Sequence, residues 1–275
     1  MPILTRLLHT TALAITLALA APAIAEEASG PNLELAWRDA SMGLVIEARQ
    51  AFSQAEGREA RFGEAITLLL TQPKTDANIE RAAQLLNKII EQNPTDTQGI
   101  IARYHLGRLE QAHRTPANLE AAAAHYRQLR KTAPNHPLAE EALVKLGIIE
   151  LYAPSLTDEA RLKLHRHYAA QANQLTSNSA RRDLHFLLAQ VAQRYRFSKT
   201  LTLDHYLAAD KEGILRTATR ADVYVSILTL ARDLNRPALA RQYCDRFLAE
   251  YLRDNRRYMI EEIKRELPAI DLKST

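Results

Sequence analysis

The sequence predicts an all-α chain, a right-handed solenoid of antiparallel helix pairs in units of about 40 residues. Three observations predict it. Sliding the chain on itself from Asn78 to Asn118 superposes Thr75 on Thr115, Ala82 on Ala122, Pro94 on Pro134, Leu106-Gly107 on Leu146-Gly147 and Glu110 on Glu150. An offset that holds across two helices and both turns marks a stacked array. Apolar residues recur at three and four positions along most of the chain. No stretch shows the two-residue alternation of a strand.

The elements follow in order. Arg6, the apolar run from Ala12 to Ala21 and the small-residue series Ala23-Ile24-Ala25 read as a secretory signal peptide over residues 1–25. That run is too short to span a bilayer comfortably. The mature chain is therefore expected to be exported, periplasmic or secreted, without stable membrane insertion. From Pro31, the residues Trp37, Leu44, Ala48 and Phe52 share one helical face until Gly57, which gives a capping helix over 26–57 with Trp37 in the core.

The repeat region is expected over 58–253. Its first pair runs from Glu59 to Leu70 and from Asn78 to Gln92, with Pro73 breaking the first helix and Asn78 placed to cap the second. The next pair runs from Thr97 to His113 and from Asn118 to Thr132. Gly107 inside a helix costs about 1 kcal/mol relative to alanine, a cost that close approach of a neighbouring helix offsets. Gly147 repeats the device. After Pro137 a helix carries Ala142, Leu143, Leu146, Ile149 and Leu151, and Asp158 is suited to cap the following one. Beyond it the identities fade. Ser177-Asn178-Ser179 reads as a turn, Leu184 to Tyr195 as a helix, and Phe197 to Gly213 as one short helix around His205 to Ala209. Helices from Ala221 to Leu234 and from Leu239 to Tyr251 flank the turn Asn235-Arg236-Pro237, and a charged capping helix with its tail fills 254–275.

Composition narrows the function classes. The chain carries 36 basic and 32 acidic residues, too small a surplus over this length for a nucleic-acid footprint. Cys244 is the one cysteine, so no internal disulfide forms, and its apolar helical neighbours predict a buried, inert thiol. His165 and His167 lie two apart and point in different directions on a helix, so they are not a ligand pair. The other histidines read as scattered surface imidazoles. No metal, phosphate-loop or Gly-x-Ser-x-Gly motif is present, and no cofactor or enzyme activity is expected. Arg181-Arg182 and Arg256-Arg257 are flanked by Asp183 and Asp254, which reads as solvated helix faces.

Leu106-Gly107, Ala122, Tyr126 and Pro134 resemble the tetratricopeptide repeat family, as do Leu146-Gly147 and, less regularly, Ala240 with Tyr243 or Cys244. The family unit is about 34 residues; this chain carries about six more, placed from Gln111 to Ala117, and has Thr67 where glycine is expected. The resemblance, to an exported bacterial-type member, implies that first helices line a concave groove holding a peptide or protein partner. Carried over by position, Arg61, Glu64, Tyr104, Arg108, Glu141 and Tyr152 would face that groove. The expectation is a non-enzymatic interaction scaffold in the cell envelope. A self-associating homo-oligomer is the alternative, and an enzyme with a site between Ser198 and Gly213 has no motif behind it.

Overall fold

The computed structural model describes residues 31–268; the signal peptide expected over 1–25 lies outside them, as does the end of the C-terminal tail. Among the described residues there are thirteen α-helices, one π-helical turn and no strand, as the periodicity requires. The described residues divide into two compact units, unit 1 ending at Ala133 and unit 2 beginning at Pro134. No helix among the described residues is long and apolar enough to cross a membrane.

Unit 1 contains α1 (Leu33–Ser41), α2 (Val45–Gln54), α3 (Arg58–Leu70), α4 (Asp76–Gln92), α5 (Thr97–Arg108), a π-helical turn (Leu109–His113) and α6 (Leu119–Thr132). Successive helices pack on one another, and α3 also reaches α5. The reason is visible in α4, where Ile79, Ala82, Ala83, Leu85, Leu86, Ile89 and Ile90 are all buried, an apolar stripe wide enough to meet a helix on each side.

The single capping helix expected over 26–57 is instead a hairpin. Gly43 lies between α1 and α2 with φ +85°, a conformation that favours glycine because it has no Cβ to clash. The break changes the register, and Leu44 is 44% exposed instead of facing the core. Trp37, expected in the core, is partly buried and packs against the cluster of Ala36, Ala48 and Phe52. Its ring meets those of Phe52 at 4.7 Å and Phe62 at 6.0 Å, and its Nε1 donates to Glu59 Oε1 at 3.1 Å.

Two caps differ from expectation. Thr75, not Asn78, caps α4, its Oγ1 accepting the Asn78 N–H at 3.2 Å. Thr157, not Asp158, caps the helix Asp158–Ala172, accepting the Ala160 N–H at 3.2 Å. Asn118 does cap α6, accepting the Ala121 N–H at 3.1 Å. The offset misplaced the first cap because the π-helical turn and the loop after it delay the start of α6. The extra residues of the unit are taken up there, where Leu109, Glu110 and Gln111 are buried and Gln111 Oε1 accepts from the Tyr126 hydroxyl at 3.0 Å.

Gly107 is a packing glycine. A Cβ on it would lie 2.7 Å from Tyr126 Cε1, and Tyr126 is fully buried and held by Gln111. A Cβ on Gly147 would likewise lie 2.9 Å from Leu187 Cδ2. In the first pair the device sits one turn earlier: a Cβ on Gly63 would collide with the Phe52 ring, while Thr67 turns its hydroxyl back to the Gly63 carbonyl at 2.9 Å. Gly107→Leu is expected to lower stability by about 1–3 kcal/mol through overpacking, seen as a lower urea midpoint by circular dichroism. A wild-type midpoint would mean that Tyr126 yields freely.

Unit 2 contains α7 (Pro137–Leu151), α8 (Asp158–Ala172), α9 (Asn178–Arg194), α10 (Lys199–Lys211), α11 (Thr217–Asp233), α12 (Pro237–Glu250) and α13 (Arg257–Glu266). The short helix expected near His205 is longer, thirteen residues, because Ser198 caps it at Leu201 N–H and Leu203, His205 and Tyr206 all find the core. Cys244 is buried with Tyr224, Tyr243 and Phe247, as predicted.

Two polar groups are also built into unit 2. Arg161 is 3% exposed. Its guanidinium donates to the carbonyls of Leu151, Ala153 (3.2 Å) and Leu156 (3.0 Å) at and just beyond the end of α7, and lies 3.8 Å from the Tyr195 ring centre. Asp210 at the end of α10 accepts from Tyr243 Oη at 2.6 Å and from Arg246 Nη1 at 2.5 Å and Nη2 at 3.2 Å.

Candidate partner-binding site

Of the six residues predicted to line a groove, Arg61, Glu64, Tyr104 and Arg108 belong to unit 1, and not all of them are open. Arg61 and Glu64 on α3 turn toward α4. Arg61 Nη1 donates to Gln92 Oε1 at 3.1 Å, and Glu64 accepts from Arg81 Nε at 3.1 Å. Tyr104 is a correction: it is 8% exposed, with its ring 6.0 Å from Tyr126 and 5.8 Å from His105. Helix α5 has α3, α4 and α6 around it, so a ring one turn before Gly107 meets α6 instead of solvent.

Glu141 and Tyr152 belong to unit 2. Glu141 is partly buried on α7, and burial followed by the charge of Asp183 raises its pKa despite Lys145 and Arg182. Tyr152 follows α7, 6.2 Å from the Tyr195 ring, and burial pushes its hydroxyl up to about 12. Both pack onto their own unit.

Arg108 is different. It lies half-buried in the last turn of α5 and makes no hydrogen bond or ion pair among the described residues. Most arginines around it are committed: Arg58 to Asp96, Arg81 to Glu64, and Arg114 to both Glu80 and Glu110. Two further groups that sequence reasoning missed stand within electrostatic reach, His113 on the π-helical turn and Lys74 in the α3–α4 loop. Burial, then the charges of Lys74 and Arg108, pushes His113 down to about 4. Burial, then Arg108 and His113, pushes His105 down to about 3. Burial is the first cause of both shifts, so both rings stay neutral at pH 7, and the fixed positive charges acting on them are Arg108 and Lys74. An incoming anion is favoured by those two cations.

The other basic runs are spent on their own unit. Arg181 pairs with Glu212 at 2.8 Å and Arg182 with Asp183 at 2.8 Å; Arg256 pairs with Asp222 and Asp254, and Arg257 with Glu261. Among the described residues no group of three or more His, Cys, Asp or Glu side chains is placed to hold a metal ion.

The histidines are not all surface imidazoles. His165, His185 and His205 are 0%, 8% and 7% exposed. They meet one another across α8, α9 and α10, with His185 Nδ1 3.0 Å from His205 Nδ1 and the His165 and His205 rings 5.0 Å apart. The signal for this was their equal spacing of 20 residues. Each falls near the middle of its helix, and midpoints stay level when successive helices run antiparallel.

No protein-family model and no curated protein matches the sequence. Among solved structures the chain is similar to one titled "Crystal structure of APC/C hetero-tetramer Cut9-Hcn1", at 13% identity and a TM-score of 0.48, over 86% of this chain and 42% of that one. The chain thus spans less than half the length of that relative. The functional reading rests on the residues of this chain.

Proposed function

We propose that this protein is a non-enzymatic docking scaffold that binds an acidic segment of a protein partner at the end of α5, in the cell envelope after export. The observation that carries the reading is Arg108, a half-buried guanidinium without a counter-charge among the described residues, with the Lys74 ammonium a second positive charge acting on the same neighbour, His113. A planar guanidinium suits a carboxylate with two parallel hydrogen bonds. Export is supported by the charged start, apolar run and small-residue series of residues 1–25. Stacked helix pairs with apolar faces consumed by packing leave polar helix ends to make specific contacts.

The test is peptide binding by fluorescence anisotropy, with an acidic peptide, its charge-reversed counterpart and an Arg108→Glu variant shown by circular dichroism to be folded. Preference for the acidic peptide, a loss of tenfold or more in the variant and weakening by added salt are expected. Equal binding of both peptides, or a variant that binds as wild type does, overturns the assignment. Self-association is favoured by one observation, the exposure of Leu35, Met42, Leu44 and Ile46 on the α1–α2 hairpin. A sedimentation mass that rises with concentration, together with charge-blind peptide binding, would put that reading first.

A further inference from the structure

We propose that the buried histidine trio His165, His185 and His205 makes the α8–α9–α10 junction an acid-opened joint, closed at neutral pH and released as the medium turns mildly acidic. The geometry fixes how many protons the closed joint can hold. His165 Nε2 stands 3.0 Å from the Leu188 carbonyl. A carbonyl only accepts, so that nitrogen carries the hydrogen and Nδ1 is left buried without a partner. Across the 3.0 Å contact of His185 Nδ1 and His205 Nδ1 one nitrogen must donate and the other accept. One charged ring could keep that contact. Two could not, because both Nδ1 atoms would then carry hydrogens and like charges would face each other. His205 Nε2 is also buried without a partner, so a proton there finds no acceptor. The Phe197 ring, 5.4 Å from His165, offers no hydrogen-bond acceptor to a charged imidazole.

The surrounding charges do not relieve this. Arg166 on α8 and Arg181 on α9 oppose protonation of His165 and His185; Glu212, after α10, favours it at His185 but is held by Arg181 at 2.8 Å. No charged group of α7 or α11 bears on the three rings. Burial is the first cause of the lowered value in all three, and for His205, where His165 and His185 add to it, the result is about 3.

The sign follows. In the closed joint these rings stay neutral below the ordinary imidazole value, whereas in an opened joint they take up protons near pH 6.5. The open form therefore binds more protons, and closure weakens as pH falls from about 6.5 toward the lowered values. A ring at about 3 when closed and about 6.5 when open favours opening about 25-fold more at pH 5 than at pH 7.

The experiment is amide hydrogen exchange on the full chain at pH 7 and pH 5, corrected for intrinsic rates, with α12 of the same unit as reference. Exchange in α8, α9 and α10 is expected to gain tenfold or more over α12 at pH 5. A His205→Gln variant, whose amide can still meet His185 Nδ1, is expected to show a smaller gain. Imidazole resonances of the wild-type protein give a reading that does not depend on the variant folding. Rings that titrate near pH 6.5 while α8 to α10 stay protected overturn the proposal, as does an equal gain across the whole unit.

Discussion

Arg161→Leu is expected to lower the stability of unit 2 by about 3 kcal/mol. The guanidinium is almost wholly buried and gives its hydrogen bonds to the carbonyls of Leu151, Ala153 and Leu156, groups at and beyond the last turn of α7, of which Ala153 also accepts from the Leu156 N–H at 3.3 Å. Two effects compete when leucine replaces it. Desolvation of a cation is no longer required, which favours the variant. The Leu151 and Leu156 carbonyls lose this donor, each at a cost of about 1–3 kcal/mol when no water replaces it, while Ala153 keeps the Leu156 N–H, and a close cation–π contact with Tyr195 is lost as well. Water can reach the partly buried carbonyls of Ala153 and Leu156, so the sum falls toward the lower end, but loss still wins. Arg161→Lys should recover less than half, since an ammonium does not reproduce the planar fork. Urea denaturation followed by circular dichroism measures both. Equal midpoints for wild type and the leucine variant would mean that this end of α7 is capped by solvent.

Asp210→Ala is the second large effect, about 2–3 kcal/mol. The carboxylate side chain is 7% exposed and receives Tyr243 and both terminal nitrogens of Arg246, whose own side chain is 34% exposed. The exposure of the arginine sets the size, because a guanidinium one-third in water recovers part of its solvation when the acid is removed. Tyr243 does not, being 4% exposed in the core beside Tyr224. A double-mutant cycle of Asp210→Ala with Arg246→Leu should give a coupling of at least about 1 kcal/mol. Additive losses would show that Arg246 is held by the Tyr224 ring, 4.3 Å from it, instead of by the acid.

The parts of this fold that rest on repetition and helical period could be read from the chain. Leu106, Gly107, Ala122 and Tyr126 are all buried, with Gly107 against the Tyr126 ring, as the tetratricopeptide resemblance implied. What could not be read depends on small shifts of helix origin. A glycine of positive φ splits the N-terminal helix, and a π-helical turn delays α6, so that Thr75 takes the cap expected of Asn78. Facing was harder still. Tyr104 and Arg108 are four residues apart on one helix and both were expected in the groove, yet one is covered by α6 and the other stays half open at the helix end. Whether a residue at a given angle is covered depends on how far the neighbouring helix extends past it, which spacing does not state. The histidine trio shows the reverse: its regular interval was present in the sequence, but burial could be recognised only once three consecutive helix midpoints were seen side by side.

Cys244 has one more consequence. It is the single thiol in the chain, fully buried on α12, where burial, then the charge of Asp245, raises its pKa. A thiol-specific reagent can therefore reach the native protein only through transient exposure of that helix, and every labelled molecule records one such excursion. The rate of labelling at increasing reagent concentration separates how often the helix opens from how long it stays open, with no substitution and no probe added to the chain. Nature has placed a clock in the second half of the molecule, and none in the first.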